Sequence, residues 1–123
     1  MSRSRARDAS PAVRAAFAAA SAAYLVNCAI GFGAATRILP PRPELRLHHR
    51  AYLLTSALTV VALASPLWAG SARPTAGRAA RALAPALLTL AALPVAGTRT
   101  RRHPAVALTA APWYAGGTLT AWR

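Results

Sequence analysis

The sequence predicts an all-α, polytopic membrane protein with four transmembrane helices in a small bundle. Three observations predict it. The 123 residues are 55% hydrophobic and only 14% charged, against roughly 25% charged in ordinary soluble domains. Four long apolar runs, residues 15–36, 51–70, 82–97 and 104–122, contain no charged side chain. All fifteen basic residues are arginine, and they fall between the runs or at their ends, never as a stripe along one. An amphipathic helix of a soluble bundle carries such a stripe at 3.6-residue spacing. A net charge of +13 raises nucleic acid as a partner. The placement of the arginines points instead to the anionic headgroups of membrane lipids, at about 1 kcal/mol for each loop arginine.

Residues 1–10, MSRSRARDAS, hold no apolar run and are expected to form a disordered basic tail. Ser10 and Pro11 then read as an N-cap followed by proline at the first helical position, where its missing N–H costs nothing. The first helix is expected over about residues 12–37. Its uncharged run is about 33 Å long, enough for a hydrocarbon core of about 30 Å. Arg14 and Arg37 bracket it.

The stretch 37–50, RILPPRPELRLHHR, is the longest interruption of the apolar sequence. Its prolines stop the first helix, and Glu44 opens the second, expected over about 44–70. Tyr52 and Trp68 sit near the ends of that helix, as an interfacial aromatic belt requires, and Gly70 suits the C-cap. The third helix is expected over about 78–97. Its uncharged part is only about 24 Å long. A full span needs Arg78 and Arg81 to extend their heads back to the interface. The fourth, about 104–122, is opened by Pro104 and closed by Trp122 and Arg123.

Orientation follows the arginine bias between loops. Four spans place eight arginines on the side of the termini (residues 3, 5, 7, 14, 73, 78, 81, 123) and seven on the other (37, 42, 46, 50, 99, 101, 102). That balance leaves two expectations open, both termini inside or a dual topology with opposed copies.

Two families of small four-helix transporters bear comparison. The small multidrug exporters depend on a membrane-embedded glutamate, whereas the two acids here, Asp8 and Glu44, both lie outside the apolar runs. Residues 33–37, GAATR, match the GAxxR stretch of the dual-topology fluoride channels, but the chain lacks that family's later segments. Neither family is assigned. Leu25-Val26-Asn27-Cys28 resembles a lipoprotein cleavage box except at Asn27, where a small residue is required. Cys28, the one cysteine, cannot form an internal disulfide and reads as a small buried hydrophobe.

No hydrolase constellation and no phosphate-binding loop is present, so no enzymatic activity, cofactor or metal is assigned. The remaining candidates are few. His48, His49 and His103 lie in loops expected on one membrane face, where three imidazoles suit a metal, a haem or a pH-sensitive patch; a Glu44–His48 pair four residues apart is the simpler reading. Asn27 is the most polar side chain within an apolar run and suits either a substrate path or a hydrogen bond between helices. Trp113 and Tyr114 follow Pro112 and precede Gly116-Gly117, a broken helix with two aromatics beside it, as at transporter sites.

Three function classes follow. The chain is a non-enzymatic membrane subunit or scaffold within a larger complex, a small oligomeric transporter or channel, or a haem- or metal-binding membrane protein. The excess of alanine and arginine with no lysine suggests a GC-rich bacterial genome and a plasma membrane.

Overall fold

A computed structural model describes residues 2–35, 47–96 and 102–122. For residues 2–10, 34–35, 47–48, 93–96 and 102–104 it describes the backbone alone. The described residues are helical, with no strand among them. The elements are α1 (Ser2–Ala35), α2 (Leu47–Leu63), α3 (Ser65–Trp68), a 3-10 turn (Gly70–Ala72), α4 (Arg73–Leu83), α5 (Ala86–Ala96), α6 (Arg102–Leu108) and α7 (Ala111–Trp122).

Prolines explain why four expected helices appear as seven. Pro66, Pro85 and Pro112 each lack the N–H that would close an i→i−4 bond, and the chain turns at or just before each of them, at Ala64, at residues 84–85 and at residues 109–110. Tighter i→i−3 bonds carry the backbone through: Leu67 N–H to the Ala64 carbonyl (2.9 Å), Leu87 N–H to Ala84 (3.0 Å) and Trp113 N–H to Ala110 (3.0 Å). The second, third and fourth expected helices are therefore broken rods over residues 47–68, 73–96 and 102–122. Among the described residues, only α1 holds an unbroken segment long and apolar enough to cross a membrane, Pro11–Gly33, with a mean hydropathy of 1.6.

Two boundaries differ from expectation. α1 begins at Ser2, so the expected tail carries helical backbone and Pro11 lies inside the helix instead of opening it. No proline or glycine precedes Pro11 to stop the helix earlier. The third rod begins at Arg73, with Pro74 in its first turn. Gly70 meets expectation: it has φ +59°, the left-handed conformation glycine supplies just past a helix end.

α1 is the hub. It packs against α2, α6, α7 and the 3-10 turn, while α4 lies along α7 and also touches α2 and α3, and α5 packs on α6. Among the described residues, nine of the fifteen buried apolar ones are alanine, so helices approach closely. Gly117 marks one close approach: a Cβ there would meet Leu83 Cβ at 3.0 Å, the Ala79 carbonyl at 3.4 Å and Phe17 at 3.4 Å. The large apolar side chains Leu25, Phe32, Leu54, Val60, Leu67, Leu88, Leu119 and Trp122 all point outward.

Candidate functional site

Several polar side chains of the apolar runs converge where α1, α2, α6 and α7 meet. Tyr24 of α1 stacks on Tyr114 of α7, with ring centroids 4.4 Å apart and planes 11° from parallel. Such a pair adds about 0.5–1.5 kcal/mol beyond its buried area. Both rings are buried. α1 brings Tyr24 inward through the series Val13, Phe17, Ala20, Tyr24, Asn27, buried at steps of three and four residues.

The hydroxyls around this stack have definite partners. Thr59 donates to the Thr55 carbonyl at 2.7 Å, one turn earlier in α2. Its single proton is thereby used, so the Tyr114 hydroxyl, 2.7 Å away, donates to Thr59 Oγ1. Thr55 Oγ1 is 2.8 Å from the Ala51 carbonyl and 3.1 Å from the Ala23 carbonyl of α1, sharing its proton between them. On the other side of the stack, Ser21 and Thr118 hydroxyls lie 2.6 Å apart and join α1 to α7.

Other hydroxyls serve the carbonyls that helix breaks leave exposed. α6 ends at Leu108, and its Val106 and Ala107 carbonyls accept i→i−3 bonds from the Thr109 (3.1 Å) and Ala110 (3.3 Å) amides, leaving each a second lone pair for a hydroxyl. Tyr24 donates to the Ala107 carbonyl at 2.7 Å, and Thr109 to the Val106 carbonyl at 2.6 Å. Thr109 also lies 3.1 Å from Thr89, which ties the break to α5. Within α5, Pro94 cannot donate to Leu90, four residues back. Tyr52 takes that place, its hydroxyl donating to the Leu90 carbonyl at 2.7 Å.

This arrangement joins α1, α2, α6 and α7 through hydroxyl groups. Among the described residues it includes no carboxylate and no histidine, and its tyrosine and threonine protons are committed to acceptors. An open groove of about 460 Å³ runs between α1 and α7 beside the stack, lined by Tyr24, Leu25, Tyr114, Ala115 and Leu119 among others.

The residues singled out from sequence are dispersed. Tyr114 faces inward onto Tyr24, whereas Trp113 points outward at 42% exposure, so the two do not share one binding face. Asn27 is 7% exposed and its Oδ1 has no hydrogen-bond partner, as is also true of the buried Ser56 and Ser65 hydroxyl oxygens. Cys28 is half-buried and packs against the core. His49 is exposed in the first turn of α2; the side chains of His48 and His103, and all of Glu44, lie outside the described residues. Among the described residues no three His, Cys, Asp or Glu side chains cluster as a metal site would need.

Sequence reasoning missed Tyr24, Thr55 and Thr59. The signal is there in retrospect, since Thr55 and Thr59 are one turn apart, as are Ser21 and Tyr24 within the tolerance of a helix face. No protein-family model, no curated protein and no solved structure matches the chain.

Proposed function

We propose that the chain is a small integral membrane protein whose four helical rods cross a bilayer, and that it acts as a non-enzymatic membrane subunit or scaffold. One observation carries this reading. Among the described residues the interior is mostly alanine, glycine and hydroxyl-bearing residues around a few larger side chains (Val13, Phe17, Leu83, Leu90), while fifteen large hydrophobic side chains are exposed. In water that distribution leaves an aggregating surface. In lipid it is the expected one, because packing of small residues and hydrogen bonds, not hydrophobicity, hold helices together there. α1 agrees: only 22% of its most apolar window is buried, whereas the core helix of a soluble protein is mostly buried.

Length is consistent too. At 1.5 Å per residue the three broken rods measure about 32–36 Å, against a hydrocarbon core of about 30 Å. Breaks at proline are tolerated in lipid where neighbours re-satisfy the freed backbone groups, as Tyr52 does for Leu90; Tyr24 and Thr109 add further bonds to the last carbonyls of α6. Composition supports a bacterial plasma membrane as the location.

The scaffold role rests on the junction at Tyr24 and Tyr114, where every hydroxyl in hand serves packing. Its partner is a larger membrane complex meeting the exposed leucines, valines and tryptophans. The test is gentle detergent extraction of the tagged chain from its own membranes. Recovery in the membrane fraction after alkaline carbonate, together with a stoichiometric larger complex, supports the reading. Release by carbonate refutes the membrane placement, and a chain that purifies alone refutes the scaffold role.

A second reading is favoured by the break at residues 109–110, which sits beside the Tyr24–Tyr114 stack. In it the chain is a small oligomeric transporter or channel. A stable homodimer with crosslinks between opposed copies, and solute flux in proteoliposomes, supports this second reading over the first.

A further inference from the structure

α4 differs from every other element. It buries Ala76, Ala79 and Leu83 and turns Arg73, Arg78 and Arg81 outward. α5 continues the same rod without a charge, and its exposed residues include Leu87, Leu88 and Ala91. The exposed side of the rod thus changes from arginine to apolar at residues 84–85. Backbone bonds from Ala84 to Ala80 (2.8 Å), Leu87 to Ala84 (3.0 Å) and Leu88 to Pro85 (3.1 Å) keep the rod continuous across that point. Arg81, Ala84, Leu88 and Ala91, all exposed, follow one another at steps of three and four and so form one line.

Two details show which way the charge is drawn. Arg81 Nε donates to the Gly77 carbonyl at 3.3 Å, which pulls the guanidinium back toward the start of α4 and away from the apolar stretch. α4 packs against α3, which carries Trp68, and against α7, which ends in Trp122. Tryptophans of this kind belong at the membrane–water boundary. The chain's two acids, Asp8 and Glu44, are both outside residues 47–122, so no carboxylate of these rods neutralises the arginines.

We propose that this face binds an anionic phospholipid, with the phosphate held by Arg78 and Arg81 and one acyl chain lying along Ala84 and Leu88. Arg78 and Arg81 are three residues apart, neighbours on a helix surface, and guanidinium forks match phosphate oxygens. The apolar line directly below the arginines is what distinguishes a lipid from a soluble anion or a nucleic acid, neither of which has a use for it. The inference rests on the membrane reading above, and extends it by naming the lipid class and the residues that hold it.

The test separates the two. Full-length chain is reconstituted into pure phosphatidylcholine vesicles, and resistance to alkaline extraction is measured; extraction from them overturns both readings. The detergent-solubilised chain is then titrated, by native mass spectrometry, with phosphatidylglycerol, with phosphatidylcholine of the same acyl chains and with inorganic phosphate. Phosphatidylglycerol is expected to bind selectively. The R78Q/R81Q variant is expected to weaken it about 25-fold, at about fivefold per arginine, and R78K/R81K to restore most of the loss. Equal retention of phosphatidylglycerol by R78Q/R81Q, or inorganic phosphate held as tightly as the lipid, overturns the site and leaves the membrane reading standing.

Discussion

Tyr52 donates its phenolic proton to the Leu90 carbonyl at 2.7 Å, and Leu90 is the residue whose amide partner would have been Pro94. A tyrosine of α2 thus supplies the hydrogen bond that a proline removes from α5. The pairing predicts a specific rescue. Tyr52→Phe strands a buried carbonyl and is expected to destabilise the chain by about 1–2 kcal/mol. Pro94→Ala restores an N–H at the right position, so Tyr52→Phe is expected to cost much less in that background. Unfolding in detergent micelles titrated with sodium dodecyl sulfate gives the four free energies of the cycle. Additive effects of the two substitutions would show that the tyrosine and the proline are unconnected.

Adjacent glycines in α7 are expected to respond in opposite ways. A methyl group at Gly117 would press on Leu83 Cβ at 3.0 Å, and on the Ala79 carbonyl and Phe17 at 3.4 Å. Gly117→Ala therefore forces α4 and α7 apart and is expected to cost about 1–3 kcal/mol. At Gly116 nothing lies within 4 Å of the added carbon. Gly116→Ala is expected to be neutral or to stabilise by up to about 1 kcal/mol through helix propensity. The same unfolding titration reads both, and Leu83→Gly, which removes the crowded Cβ, should reduce the cost of the first and leave the second unchanged.

These two relationships also mark how far the sequence is legible. The four apolar runs, the glycine turn at Gly70 and the backward reach of Arg81 all follow from residue type and position. The breaks at Pro66 and Pro85 do not, because hydropathy is the same on both sides of each and a membrane helix often passes through a proline. Nor does the charged face of α4, whose arginines precede the apolar run at residue 82 and look like a loop when read in line. The Tyr24–Tyr114 stack is hidden for another reason. With alanine nearly everywhere, no helix face stands out, and nothing local in α1 names its partner in α7.

Asn27 carries the one orphaned acceptor among the candidates drawn from sequence. Its Oδ1 is buried without a partner, and an unsatisfied buried polar group costs about 1–3 kcal/mol. Leucine shares its branched shape, though it is bulkier, and has no such group. Asn27→Leu is expected to leave stability unchanged or raise it by up to about 2 kcal/mol. Destabilisation by more than 1 kcal/mol in the same unfolding titration would show instead that Asn27 holds a bound water or another partner that leucine cannot.

The placement of the termini gives a prediction about topology. The Arg14 guanidinium sits 5.4 Å from the centroid of the Trp122 ring, so the start of the apolar part of α1 adjoins the end of α7. If the four rods cross a membrane, both termini are then on one side of it in each molecule. Reporters fused at the N-terminus and at the C-terminus are expected to give signal from the same compartment or compartments, and signal from opposite ones would sink the four-span arrangement. Eight arginines against seven do not select that side. Replacing Arg42, Arg46 and Arg50 by glutamine leaves eight against four, which drives the eight-arginine side to the cytoplasm. A wild-type chain reporting from both compartments that becomes single-sided in this variant identifies a topology balanced by charge. A wild-type chain already single-sided and unaffected by the three substitutions shows that another determinant, such as the order of insertion of the long first helix, fixes it.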